Sequence, residues 1–198
     1  MTDDTTEVLI VEDNTELASL YVSWLGDRWD VRSVTDGASA IEAVTATTDV
    51  VVLDRRLPGI SGDEVLQQLR AAGFDCQVVI VTAVEPDFDI VEMGFDDYLV
   101  KPVDASTLNR CIRRLERRSA YDAELREYYS QVTKKAVLEA RKSEAALDDS
   151  DEYTELRERV ETQADRADQL LDELLTDTAD HAHLFHGLLE SDPGAASN

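Results

Sequence analysis

Val50-Val51-Val52-Leu53-Asp54 is an apolar, mostly β-branched run cut off by a single carboxylate. A strand with one wet face alternates polar and apolar side chains, and this one does not. A continuous run of that length suits a strand covered on both faces, as in a parallel sheet between helices. Working outward, Val8-Leu9-Ile10-Val11 and Val78-Val79-Ile80-Val81 are equally continuous, and Val31 to Val34 and Tyr98-Leu99-Val100 add two shorter runs. Helical spacings separate them. Leu17, Leu20, Tyr21 and Trp24 form one face, Ala40, Ile41 and Val44 a second, Val65, Leu66 and Leu69 a third. Ser61-Gly-Asp-Glu64 has capping-box spacing, and Asp36 and Asp104 stand where N-caps are expected. A short helix is expected between Val84 and Met93. This alternation predicts an α/β domain over residues 5–119, a doubly wound five-stranded parallel sheet of the flavodoxin-like kind.

Beyond Asp104 the pattern changes. No proline or glycine occurs between Val103 and Gly187, so the strongest helix breakers are missing. Leu108, Ile112 and Leu115 give the fifth helix its inner face, and Leu125, Tyr128, Tyr129, Val132, Ala136 and Ala140 continue it toward Leu147. Asp148-Asp149-Ser150-Asp151 reads as a turn, with Asp149 and Glu152 at capping-box spacing. Tyr153, Leu156, Val160, Gln163, Ala167, Leu170 and Leu174 then alternate three and four apart, a heptad seam. Thr176 to Glu190 is expected to add a short third helix. The predicted extension is an α-helical hairpin or coiled coil over residues 120–190, with 191–198 as a frayed tail.

Formal charge is −24, from 43 acidic and 19 basic residues, and only Lys101, Lys134, Lys135 and Lys142 are lysines. Up to Ser119 there are 23 acids and 11 bases, and beyond it 20 and 8, so each part carries −12. Excess charge spread evenly over two unlike segments reads as adaptation to a salty cytoplasm, where screening shortens to about 3 Å at 1 M. The same charge opposes nucleic-acid phosphates. No stretch approaches the roughly 20 apolar residues of a membrane span, and Met1-Thr-Asp-Asp4 does not read as a secretion signal, so a cytoplasmic protein is expected. Cys76 and Cys111 are expected to be reduced packing residues.

In an open α/β sheet the functional crevice lies at the carboxyl ends of the strands. Strand one ends in Glu12-Asp13, strand three in Asp54, strand four in Thr82, and strand five is followed by Lys101-Pro102. Any one of these acids alone would ordinarily be a solvated loop residue or a helix cap. Together they bring three carboxylates, a hydroxyl and an ammonium to one edge. Crowded carboxylates repel unless a cation joins them, and a hard divalent ion such as Mg²⁺ suits oxygen ligands. An aspartate can attack phosphorus to form an acyl phosphate, with lysine and hydroxyl as phosphoryl partners.

These residues sit in Val8-Leu-Ile-Val-Glu-Asp-Asn14, Val51-Val-Leu-Asp-Arg-Arg-Leu-Pro-Gly59, Val79-Ile-Val-Thr-Ala83 and Asp97-Tyr-Leu-Val-Lys-Pro102. Over residues 5–119 the chain thereby resembles the receiver domain of two-component response regulators. The resemblance implies that Asp54 is the phosphoacceptor and that Glu12, Asp13 and Asp54 bind Mg²⁺, together with the backbone carbonyl of Arg56. It also implies that Thr82 and Lys101 hold the phosphoryl group, that Tyr98 is the aromatic switch, and that Lys101-Pro102 is cis. Pro58-Gly59 would form the turn after the acceptor loop. A sensor histidine kinase is the implied donor, and the chain would not be a turnover enzyme. Glu12 stands where Asp is commoner, and Arg55 and Arg56 occupy variable positions.

Residues 120–190 resemble the HalX domain attached to receivers in halophilic archaea, through Arg118-Ser-Ala-Tyr-Asp122, Glu127-Tyr-Tyr-Ser130 and the two-helix layout. The leading reading is a phosphorelay switch whose helical extension contacts protein and serves as a site for homodimerisation. A phosphorylation-controlled DNA-binding transcriptional regulator is the alternative. It is disfavoured because Arg126, Lys134, Lys135, Arg141 and Lys142 are interspersed with acids and no helix-turn-helix is evident. A small-substrate phosphotransferase or phosphatase is a third. His181, His183 and His186 read as solvated rather than as a metal site.

Overall fold

The computed structural model describes residues 5–189, the side chains of Asp89 and of residues 176–189 excepted. In chain order the elements are β1 (Glu7–Val11), α1 (Thr15–Leu25), β2 (Asp30–Val34), α2 (Gly37–Ala43), β3 (Val50–Leu53), α3 (Gly62–Ala71), β4 (Gln77–Thr82), a 3-10 turn (Phe88–Glu92), β5 (Asp97–Val100), α4 (Ala105–Arg141), α5 (Glu144–Asp148) and α6 (Asp151–Leu189). The chain divides into two units, Met1–Glu116 and Arg117–Asn198. Among the described residues no helix is long and apolar enough to cross a membrane.

In the first unit five parallel strands run in the order β2-β1-β3-β4-β5. Alternate side chains of the continuous runs enter opposite cores, which is why those runs are apolar throughout. Val8, Ile10, Val50, Val52, Val79 and Val81 pack with Tyr21 and Leu25 of α1 and Leu108, Ile112 and Leu115 of α4. Leu9, Val11, Val51, Leu53, Val78 and Ile80 pack with Ala40 of α2 and Val65, Leu66 and Leu69 of α3. Asp36 caps α2, Ser61 and Glu64 close the capping box on α3, and Asp104 accepts from the Thr107 amide at 2.8 Å. Of the expected α1 face Tyr21 is buried and Leu17 and Trp24 pack half-buried against the core, joined by Ala18 and Leu25, while Leu20 is exposed. Between β4 and β5 the expected fourth helix is only a 3-10 turn, with Phe88 and Val91 exposed. Its few apolar residues give too little burial to nucleate a longer helix.

In the second unit the heptad seam is the inner face of α6. Tyr153, Leu156 and Ala167 are buried, and Val160, Gln163, Leu170 and Leu174 half-buried. Three expectations fail here. The long helix does not reach Leu147, because it ends at Arg141 and Ser143 caps the separate α5 through the Ala146 amide. The cap of α6 is Ser150, whose hydroxyl accepts from the Tyr153 amide at 3.1 Å, whereas Asp149 closes α5. No separate third helix begins at Thr176, since α6 continues to Leu189. Of the stripe expected on α4, Leu125, Tyr128 and Val132 are half-buried, but Tyr129, Ala136 and Ala140 face outward. Gln131 and Leu138 turn inward instead. The three histidines and the tail 191–198 lie outside the described side chains and residues.

Candidate functional site

Parallel register sets Val11 beside Leu53 and Thr82 beside Val100, so the residues just past these strands share one edge of the sheet. Glu12 and Asp54 are buried there and Asp13 is exposed. One carboxylate oxygen from each of Glu12, Asp13 and Asp54 lies within 4.8 Å of the others. Lys101 enters from the end of β5, its Nζ 2.5 Å from Asp54 Oδ2 and 2.6 Å from Glu12 Oε2. Burial pushes the Glu12 carboxyl above its ordinary value, and the hydrogen bond from Lys101 only partly offsets this. Burial works the other way on Lys101, but hydrogen bonds to Asp54 and Glu12 outweigh it and hold the ammonium above its usual range. One cation thus faces three carboxylates, leaving room in charge for a further cation.

The loop after β3 is held by the expected Pro58-Gly59 turn and by contacts that sequence spacing did not single out. The Arg56 amide donates to Asp54 Oδ1 at 2.9 Å, fixing the carboxylate from its own loop. Arg55, treated above as a variable position, reaches Asp63 at the start of α3 with two hydrogen bonds, 2.9 and 2.7 Å. Gly62 donates its amide to the Arg55 carbonyl, and a Cβ there would come within 2.1 Å of the Asp54 carbonyl oxygen. Only glycine lets α3 approach so closely. Gly59, after Pro58, has φ +78°, the left-handed value a Pro-Gly turn requires.

Lys101-Pro102 is cis. Thr82 is fully buried, and its hydroxyl oxygen accepts from the Val84 amide at 3.4 Å rather than meeting Asp54. Tyr98 is 8% exposed, more buried than a half-wet strand aromatic, and its hydroxyl donates to the Val84 carbonyl at 2.7 Å. Thr82 and Tyr98 are therefore tied to the same residue on the β4 side of the crevice. Cys76 and Cys111 are free and buried, and burial raises both thiols.

An open parallel sheet with this acid-lysine cluster at its strand ends defines a class that comparison with known proteins identifies. Residues 8–113 match the model of the response regulator receiver domain, and the chain belongs to that family. Residues 117–185 match the HalX domain. A Haloferax volcanii protein described as a transcriptional regulator is 43% identical over 155 residues, covering 78% of this chain and 26% of that protein. The sensory transduction protein RegX3 of Mycobacterium tuberculosis is 42% identical over 122 residues, covering 59% of this chain and 53% of its own length. The chain thus spans about half or less of these relatives. Among solved structures, the signal receiver domain of a Luxo repressor protein from Vibrio parahaemolyticus superposes with TM-score 0.55 at 30% identity, covering 60% of this chain and 96% of that one. The response regulator TrrA of Thermotoga maritima, solved in complex with Mg²⁺-BeF, gives TM-score 0.50 at 25% identity, covering 56% and 98%.

Proposed function

We propose that the protein is a phosphorelay switch that accepts one phosphoryl group on Asp54 from a sensor histidine kinase in the cytoplasm. The observation that carries this reading is the Lys101 ammonium bridging two buried carboxylates beside the exposed Asp13. In the transfer, an Asp54 carboxylate oxygen bonds to phosphorus as the phosphorus–nitrogen bond of a phosphohistidine breaks, and the imidazole leaves with its proton. Lys101 then has a phosphoryl oxygen to hold in place of Asp54 Oδ2, and Thr82 can turn its hydroxyl from Val84 toward another.

Glu12, Asp13 and Asp54 offer only hard oxygen donors within a few ångströms, a set that fits Mg²⁺, with the Arg56 carbonyl as a further ligand. Bound there, Mg²⁺ would offset negative charge on the phosphoryl oxygens. The Mg²⁺-BeF complex of the TrrA relative supports the same assignment. Release of Val84 by Thr82 and repositioning of Tyr98 would alter the surface around β5, and α4, which supplies residues to both units, is the route onward. The helical unit acts in this reading as a protein-contacting output. The transcriptional-regulator description of the Haloferax relative favours control of transcription as the alternative end point.

Incubation with a small phosphodonor tests the core of this. One phosphoryl group per chain is expected with Mg²⁺ present and almost none after chelation. Many equivalents of donor hydrolysed per chain each minute would instead indicate a phosphatase.

A further inference from the structure

The charges of α4 are sorted by face in its second half. Between residues 124 and 141 its carboxylates are Glu124, Glu127 and Glu139, and all are engaged within the helical unit. Glu124 pairs with Arg166, Glu127 accepts from Gln131, and Glu139 takes Lys135 and the Tyr153 hydroxyl. Arg126, Lys134 and Arg141 face outward, and among the described residues none of them makes an ion pair. With them stand Tyr129, 62% exposed, and Val137, 57% exposed, and Lys134 and Val137 border a groove that Glu152, Leu156 and Arg159 of α6 line from the other side. A chain of charge −24 thus carries a carboxylate-poor cationic face with two apolar anchors, about 22 Å from Arg126 to Arg141 at 1.5 Å per residue.

The complementary surface is on α6. One residue beyond the buried seam runs a second set at the same spacing, which after the exposed Thr154 and Arg157 continues as Glu161, Ala164, Asp168, Leu171 and Leu175. A helix with two adjacent heptad seams is patterned for two neighbours, and within the described unit only the first seam is covered. Ala164 is half-buried, and Glu161, Asp168, Leu171 and Leu175 are exposed. This stripe is about 21 Å long by the same rise, acidic where the α4 face is basic, and apolar where that face offers Tyr129 and Val137.

We propose that a second copy of this chain lays its α6 stripe on the outer face of α4. Tyr and Arg suit such a contact better than a phosphate backbone does, because the apolar anchors would have nothing to bury against phosphates. The two patches differ, so the contact is heterologous and each copy keeps one face of each kind for another neighbour. The inference is independent of phosphoryl transfer and stands or falls apart from it.

The test uses the full chain in sedimentation velocity at about 1 M salt, where screening shortens to roughly 3 Å and the net charge no longer dominates. Val137→Asp blocks one face and Leu171→Asp the other, both at exposed positions where far-ultraviolet dichroism should stay unchanged. Wild type is expected to associate with concentration, each variant alone to be monomeric, and their equal mixture to form one-to-one dimers. Arg126→Glu with Arg141→Glu blocks the α4 face by charge alone and should behave as Val137→Asp does. A monomeric wild type, variants that associate like wild type, or a mixture that stays monomeric would overturn the proposal. So would a DNA duplex bound by wild type and lost on Arg126→Glu with no change in oligomeric mass.

Discussion

The sheet unit, Met1–Glu116, carries a formal charge of −14 and the helical unit −10, and they arrange it in opposite ways. In the sheet unit, carboxylates from two strand ends are forced together and held by one lysine. In the helical unit, acids of α4 are drawn into pairs and bases are left outside. Crowded like charge is costly, so it persists where the surroundings impose it and is open to a ligand. Sorted charge on a solvated helix costs little and instead marks a surface. Composition alone distinguishes neither case.

The cores differ as well, and truncation gives the largest expected contrast. Ile80 is fully buried between β-strands and helices, so Ile80→Ala should cost about 2–5 kcal/mol in denaturant unfolding. Leu156, 5% exposed on a two-helix seam, has fewer layers around it and can relax, so Leu156→Ala should fall near the lower end, about 2 kcal/mol. Equal losses would erase the distinction between the units.

Next in size is Lys101→Met. Without the ammonium, Glu12 and Asp54 face each other buried and uncompensated, a loss of about 1–3 kcal/mol once partial exposure of the lysine is allowed for. Added Mg²⁺ should restore more stability to this variant than to wild type. A thermal melt insensitive to Mg²⁺ in both would count against the cation-binding reading. Gly62→Ala should cost about 1–3 kcal/mol, because its methyl group would collide with the Asp54 carbonyl and push α3 from the acceptor loop. An unperturbed melt with unchanged phosphoryl acceptance would show that the loop yields freely.

The smallest effect is acid sensitivity of the helix caps. Hydrogen bonds from Ser39, Ser61 and Thr107 hold Asp36, Glu64 and Asp104 below their ordinary values. Groups depressed in the fold contribute stability above the unfolded carboxylate values, about 4, and lose it as pH falls through the lowered ones. Melting temperature should therefore decline below about pH 4, and less steeply in Asp36→Ala than in wild type. For Lys101 the sign reverses: its contribution is present below about pH 10.4 and disappears as pH rises through the raised folded value.

β1, β3 and β4 were legible as continuous apolar runs, and the acidic cluster because the first two of these are followed at once by a carboxylate. Hydroxyl and lysine positions followed from the same strand ends. What escaped depended on choices between near-equal neighbours or on distant partners. Asp149 and Ser150 are both good caps, and spacing alone does not say that Ser150 serves α6. Nothing as strong as glycine or proline marks the break at Ser143. Arg55 finds Asp63 only because α3 turns back over the acceptor loop. Tyr129, Ala136 and Ala140 keep helical spacing, yet the helix turns them outward, because Gln131 and Leu138 occupy the inner side.

Intact-mass measurement on wild type and Asp54→Asn, each given the same small phosphodonor and Mg²⁺, bears most directly on the central claim. The geometry around Lys101 predicts a single added phosphoryl group on wild type and none on the variant. Equal labelling of the two chains would contradict it.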